Sequence, residues 1–240
     1  MRPNWLCSPA EKWLKKRNNY PIDQLPDELK PLVLSPQLTL KTNIRDIDIL
    51  VVDFETTGVD PQNEQILSMG WVVIEKEIIR LSSARYMLIN EVIHSSSIAN
   101  TAKIHQLLPQ ELSNKGIALS CAFSRLFQAM ENKLILVHGT VIEERFFNQY
   151  INKTYQLKAL PIPWLDTLRM EQARNQMVRR SAHPEDWRLS TSRQHYGLPL
   201  YAAHNALVDA MASAELFLAQ IMVMFGHEQI DFETIFKISR

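Results

Sequence analysis

The first strongly apolar stretch of the chain is 49–54, followed by a second at 65–75 and a third at 78–90 that bends around Ser82-Ser83. These read as strands, and the short connections between them predict an antiparallel meander. The period then changes. Residues 101–108 can form a short helix, and 120–131 set Phe123, Leu126, Phe127 and Met130 at three- and four-residue spacings on one face. That face reads as core. A brief buried strand is expected at 134–137, a helix at 143–151, a strand end at 164–166 and a helix at 167–178. After a polar, basic stretch, 189–195 resumes a short helical pattern, 206–225 is the longest helix, and 232–238 adds a helical turn or two. A meander followed by strand–helix alternation predicts an α/β fold with parallel crossover units.

Ahead of the meander, Ser8-Pro9-Ala10-Glu11 looks like a capped helix start with Pro9 at the first helical position, and the charges after it suggest a surface element. Pro21, Pro26, Pro31 and Pro36 then punctuate an irregular stretch with one helical turn around 27–30. The expected organisation is an arm over 1–47, a core domain over 48–225 and a tail over 226–240 packed on it.

Composition narrows the class. With 240 residues, 46% of them apolar, the chain can build one sizeable core. No run approaches the ~18 apolar residues of a membrane span, and the first residues lack the apolar core of a secretion signal. The expectation is a cytoplasmic protein with no membrane partner. Cys7 and Cys121 are too few for a disulfide scaffold and too far apart for a zinc cluster. Lys plus Arg and Asp plus Glu each total 26, so the net charge is zero and no broad attraction to a long polyanion arises. Any nucleic acid must be recognised locally and at its ends.

Asp53 and Glu55 lie two apart at the end of the first strand, so both side chains can share a sheet face and hold divalent cations against a phosphodiester. Thr56-Thr57-Gly58 then makes a polar turn whose backbone amides can reach a ligand. His204 and Asp209 are five apart around the start of the longest helix. An imidazole near solvent and a carboxylate fixed by helix packing can activate water beside a metal. Taken singly, each has a plainer reading: His204 as a surface histidine at a helix start, and Asp209 as an acid offsetting the helix dipole.

Together these stretches resemble a known family. Val52-Asp53-Phe54-Glu55-Thr56-Thr57-Gly58, Leu136-Val137-His138-Gly139, Asp166-Thr167-Leu168 and His204-Asn205-Ala206-Leu207-Val208-Asp209-Ala210 are similar to the DEDDh branch of the DnaQ-like 3′-5′ exonucleases, related to the proofreading subunit of bacterial DNA polymerase III. The sister branch places Tyr four residues before its last Asp, where this chain has Asn205. The resemblance implies a ribonuclease-H-like fold with a central five-stranded mixed sheet flanked by helices. It also implies that Asp53, Glu55 and Asp209 ligate Mg²⁺ or Mn²⁺, two ions per site, while His204 takes a proton from the attacking water. Thr56, Thr57, Gly58, His105 and His138 become the implied substrate contacts.

The third acidic segment departs from the family's pattern of His-Asn followed by Phe-Asp. Here it reads His138-Gly139-Thr140-Val141-Ile142-Glu143, so Glu143 stands where an Asp is expected and is assigned as the fourth metal-ligating acid, ahead of Glu144. His105 lies in Lys103-Ile104-His105-Gln106, where Gln106 replaces the usual Gly.

Arg169, Arg174, Arg179, Arg180, Arg188 and Arg193 form a candidate phosphate-binding edge, and Trp187 or His183 a candidate base contact. The implied partner is single-stranded DNA or a frayed DNA 3′ end. Alternatives are a short RNA, which the same metal chemistry accepts, and a catalytically weakened nucleic-acid-binding or polymerase-associated protein. Gln37-Leu38-Thr39-Leu40-Lys41 looks somewhat like a sliding-clamp peptide with Lys41 at the usual aromatic position. The arm before the core favours a stand-alone or accessory repair nuclease over the replicative proofreading subunit, and the oligomeric state is not encoded legibly.

Overall fold

The computed structural model describes residues 7–90, 109–178, 187–202 and 204–240. The expected helix at 101–108 with His105, and also Arg179, Arg180 and His183, lie outside the described residues. Strands β1 (Ile49–Thr56), β2 (Ile66–Glu75) and β3 (Ile78–Leu88) form the expected antiparallel meander. β4 (Leu134–Val137) and β5 (Trp164–Asp166) add in parallel, giving the order β3-β2-β1-β4-β5. This is the five-stranded mixed sheet of a ribonuclease-H-like α/β fold. The bend at Ser82-Ser83 is present: the Ser83 hydroxyl accepts from Val73 N and donates to Arg80 O, where the β2–β3 register shifts.

Nine α-helices occur among the described residues: α1 (Pro9–Asn18), α2 (Lys30–Leu34), α3 (Pro109–Lys115), α4 (Leu119–Met130), α5 (Val141–Tyr155), α6 (Thr167–Met177), α7 (Leu189–Gln194), α8 (Ala206–Phe225) and α9 (Phe232–Ile238). Helix α3 was not foreseen. Helix α5 begins two residues before the expected 143 and runs on to Tyr155.

The alternation of side chains along β1 divides the core in two. Leu50, Val52 and Phe54 face a cluster with Phe123, Phe127, Phe147 and Trp164, whereas Ile49 and Val51 face one with Phe217 and Ile221 of α8 and Met170 of α6. By length and composition α8 could cross a membrane, yet it packs on β1 and β2 with Ala210, Ala214, Phe217 and Ile221 buried.

The first helix is less superficial than its charges suggest. Ser8 and Glu11 form a reciprocal capping box, with Glu11 N donating to Ser8 Oγ and Ser8 N donating to Glu11 Oε2. Ala10, Trp13 and Arg17 are nevertheless buried, and the Trp13 ring lies 5.6 Å from Phe232 and 5.4 Å from Phe236 of α9. The apolar stripe of α1 overrides its high charge because the lysines occupy the other face. Leu25, Leu29, Leu32 and Val33 likewise pack into the cluster beneath Leu50 and Trp164.

Candidate active site

Asp53 and Glu55 continue the side-chain parity of Ile49 and Val51, so the strand delivers them to the face covered by α8. Opposite Asp53 in the β1–β2 register stands Gly70. A Cβ on Gly70 would lie 2.2 Å from Leu207 N and 2.3 Å from the Ala206 carbonyl carbon, so only glycine lets the start of α8 rest on the sheet there. That contact brings Asp209, in the first turn of α8, to the two β1 acids. One carboxylate oxygen from each of Asp53, Glu55 and Asp209 lies within 4.8 Å of the others.

The turn into α8 is held by its own acids and amides. Asn205 caps the helix, its Oδ1 accepting from Leu207 N and Val208 N at 3.2 Å. Asp209 Oδ2 accepts from His204 N at 2.8 Å and from Asn205 N at 3.2 Å. These bonds fold the loop back through His204, whose φ of 72° is left-handed and costs a non-glycine residue about 1–2 kcal/mol. His204 lines the same cleft of about 740 Å³ as Asp53, Glu55, Glu143 and Asp209.

The electrostatics of the group are those of crowded, buried acids. Burial, then the charges of Glu143, Glu55 and Asp209, hold the Asp53 carboxyl well above its ordinary value. Burial raises Asp209 as well, against the backbone hydrogen bonds from His204 and Asn205. Glu143 is pushed up to about 8, chiefly by burial, with backbone hydrogen bonds to Phe54 and within Glu143 itself opposing. Its Oε2 is buried and has no hydrogen-bond partner. Glu143 does not fall within the 4.8 Å grouping of the other three acids, although it borders the same cleft and its charge acts on Asp53. An all-carboxylate donor set with an orphaned buried oxygen fits a hard divalent cation such as Mg²⁺ or Mn²⁺.

The departure at Gly139 has a backbone reason: its φ is 91°, a region L side chains rarely adopt. The loop is fixed instead by Asp166, buried at the end of β5. Its Oδ1 accepts from Gly139 N and Leu168 N, and its Oδ2 from Thr140 N and the Thr140 hydroxyl. One carboxylate thus caps α6 and anchors the entrance to α5.

His138 lines the cleft, but both ring nitrogens are engaged, Nδ1 with Thr167 Oγ1 at 2.8 Å and Nε2 with Trp187 O at 2.9 Å. Since Trp187 O only accepts, Nε2 carries a proton. Burial lowers the His138 pKa, and the Thr167 hydroxyl that meets Nδ1 also donates to Val137 O at 3.2 Å.

Of the β1 turn, Thr56 reaches the cleft lining while donating its hydroxyl hydrogen bond to Gly58 O. The Thr57 hydroxyl donates to Glu64 and accepts from Gln65 N. Gly58 sits against the Glu64 side chain, 2.9 Å from where a Cβ would be. Among the described residues of the basic edge, Arg193 and Arg174 are committed elsewhere. Arg193 is buried and donates to Ala212 O, Pro199 O and Glu215, while Arg174 pairs with Glu171 and lies over the Tyr196 ring. Arg188 lines the cleft.

Three contributors escaped the sequence reading: Gly70, Asp166 as a cap, and the Arg193–Glu215 pair. A glycine inside an apolar strand signals close backbone approach and could have flagged the first. A strand-end Asp before Thr-Leu is an N-cap pattern and could have flagged the second.

A family model described as Exonuclease matches residues 50–217. The chain is 26% identical over 215 residues to a PolC-type DNA polymerase III of Thermotoga petrophila, covering 83% of this chain but 14% of that protein. It is 22% identical over 188 residues to the DNA polymerase III subunit epsilon of Aquifex aeolicus, covering 75% of this chain and 84% of that one. Among solved structures, the nuclease domain of 3'hExo, a DEDDh family member bound to rAMP, superposes with a TM-score of 0.61 at 12% identity, covering 79% of this chain and all of that one. The chain thus spans only about a seventh of the length of the PolC-type relative.

Proposed function

The chain belongs to the DEDDh-type, DnaQ-like exonuclease family, and on that premise we propose that it hydrolyses single-stranded or frayed DNA from the 3′ end, releasing 5′-mononucleotides with two divalent cations. The observation that carries this reading is the convergence of Asp53, Glu55 and Asp209 within 4.8 Å. His204 and the unpaired Glu143 oxygen border the same cleft. DNA is favoured over RNA because the relatives from Thermotoga and Aquifex are DNA polymerase components.

Asp53, Glu55, Asp209 and Glu143 would hold the ions, which supply positive charge against the phosphodiester anion and the oxyanions that develop as its bond breaks. Water attacks the terminal phosphorus, and His204 accepts its proton at an imidazole nitrogen. The hydrogen bond from His204 N to Asp209 Oδ2 ties the base to the acid cluster, so both are positioned by one turn. The bond to the 3′ oxygen of the preceding nucleotide breaks, that oxygen takes up a proton, and the 5′-mononucleotide leaves.

Clamp docking is disfavoured. Leu38 and Leu40 of the clamp-like segment pack on the core, and Lys41 pairs with Asp231 at 2.6 Å. Assaying 5′-labelled DNA and RNA oligonucleotides with Mg²⁺, Mn²⁺ or chelator tests the reading. Stepwise shortening of DNA with mononucleotide release, abolished by chelator, is expected. Preferential RNA shortening would replace DNA with RNA, and binding without cleavage under every metal would overturn the enzyme reading.

A further inference from the structure

The cleft is floored by acids, yet its wall at the loop before α8 is apolar: Leu200 is 58% and Tyr201 40% exposed, and both line the cleft. A single exposed aromatic needs no explanation by itself. Tyr201, however, is braced from below. Its hydroxyl donates to Glu215 Oε1 at 2.8 Å, and the Arg193 guanidinium carbon lies 4.6 Å from its ring centroid.

Arg193 is in turn locked. It is 2% exposed, with Nη1 donating to Ala212 O at 2.6 Å and Nη2 donating to both Pro199 O and Glu215 Oε2 at 2.7 Å. The ring therefore has its hydroxyl fixed and the guanidinium packed on it, so little side-chain freedom remains to be lost when something flat lies against its exposed part. Phosphates are repelled by the acids until cations are present, whereas a neutral base with a π-face is not.

We propose that the Tyr201 ring, held by Arg193 and Glu215, is a stacking platform for a nucleobase of the oligonucleotide, with Leu200 extending its apolar wall. The inference rests on the nuclease reading above and adds the feature that grips the substrate. Arg193 and Glu215 are positioning residues that act through Tyr201. Stacking on an aromatic side chain is sequence-tolerant, so the platform suits an enzyme that must accept each base in turn.

The test compares the unsubstituted protein and its Tyr201→Ala and Tyr201→Phe variants on single-stranded DNA carrying one abasic site at each of the positions nearest the 3′ end. KM and kcat are read with Mg²⁺, and binding is read by fluorescence anisotropy in an Asp53→Asn background. Tyr201→Ala should raise KM and Kd by about 5- to 150-fold on intact DNA with kcat little changed. Tyr201→Phe, which keeps the ring and loses one hydrogen bond, should stay within about 5-fold. One abasic position should cost the unsubstituted protein a similar factor and cost Tyr201→Ala nothing further. An equal Tyr201→Ala penalty on intact and on every abasic DNA, or a fall in kcat alone, would overturn the platform while leaving the nuclease reading intact. Failure of the unsubstituted protein to bind or cleave any oligonucleotide would remove both.

Discussion

Replacing Glu143 with Gln separates stability from activity. Its carboxyl stands at about 8 in the folded chain against an ordinary 4.5. At 1.36 kcal/mol for each tenfold change in proton affinity, the folded surroundings together, burial foremost, oppose the charged form by about 5 kcal/mol. Because the folded value is raised, the stability is complete below the unfolded value of 4.5 and is lost as pH rises towards about 8. The metal-free protein should therefore lose about 3–5 kcal/mol from this group between pH 4.5 and 8.5, while Glu143→Gln lacks that slope. The melting temperatures of the two should diverge by roughly 10 °C across the interval. Gln keeps one oxygen for the backbone hydrogen bonds but puts its amide nitrogen where Oε2 has no partner, which subtracts about 1–3 kcal/mol at every pH without changing the slope. Removing the charge also relieves Asp53, on which Glu143 is the largest charge effect. Activity should move the other way: Glu143→Gln and Glu143→Ala lose most turnover at saturating metal, and the shorter Glu143→Asp keeps a measurable part. If Glu143 only offset the helix dipole, its replacement would change stability by about 0.3–1 kcal/mol and leave turnover intact. Thermal melts in chelator across pH, paired with turnover against Mg²⁺ or Mn²⁺, decide. Parallel pH slopes would refute the buried carboxyl, and unchanged maximal turnover in both Ala and Gln would refute its role as a ligand.

Asp53→Asn should nearly abolish chelator-sensitive cleavage while the circular dichroism and melting profile persist; wild-type turnover in the purified variant would remove Asp53 from the chemistry. His204→Ala should lower kcat more than metal affinity, and calorimetry showing lost metal binding with unchanged metal-saturated turnover would count against a proton-accepting role. Gly70→Ala places a methyl within 2.3 Å of the α8 backbone, so it should cost about 1–3 kcal/mol of stability and lower turnover with it; a melt and a rate both unchanged would show that α8 does not rest there. Arg193→Leu removes the donors to Glu215 Oε2 and to the carbonyls of Pro199 and Ala212, for an expected loss of about 1–3 kcal/mol in denaturant unfolding.

Much of this protein could be read directly from the chain. Continuous apolar runs marked the strands of the meander, since a strand at the centre of a sheet covered on both sides must be apolar on both faces, and the bounds 134–137, 206–225 and 232–238 match the observed elements. Asp53 and Glu55 were legible because a two-residue spacing on a strand puts both side chains on one face whatever surrounds them. The placement of His204 and Asp209 around the start of α8 was equally local, whereas the cap by Asn205 came only with the structure. Other features depended on distance through space. That α1 is an inward element depends on Trp13 finding Phe232 and Phe236 more than 200 residues later, and charge on the opposite face disguised it. Arginine 193 reads as a free cation in sequence, and only its burial beside Pro199, Ala212 and Glu215 shows that its donors are spent. The distance between Asp53 and Asp209 is set by how closely two backbones approach at Gly70, a property that no pattern of polarity along a single chain encodes.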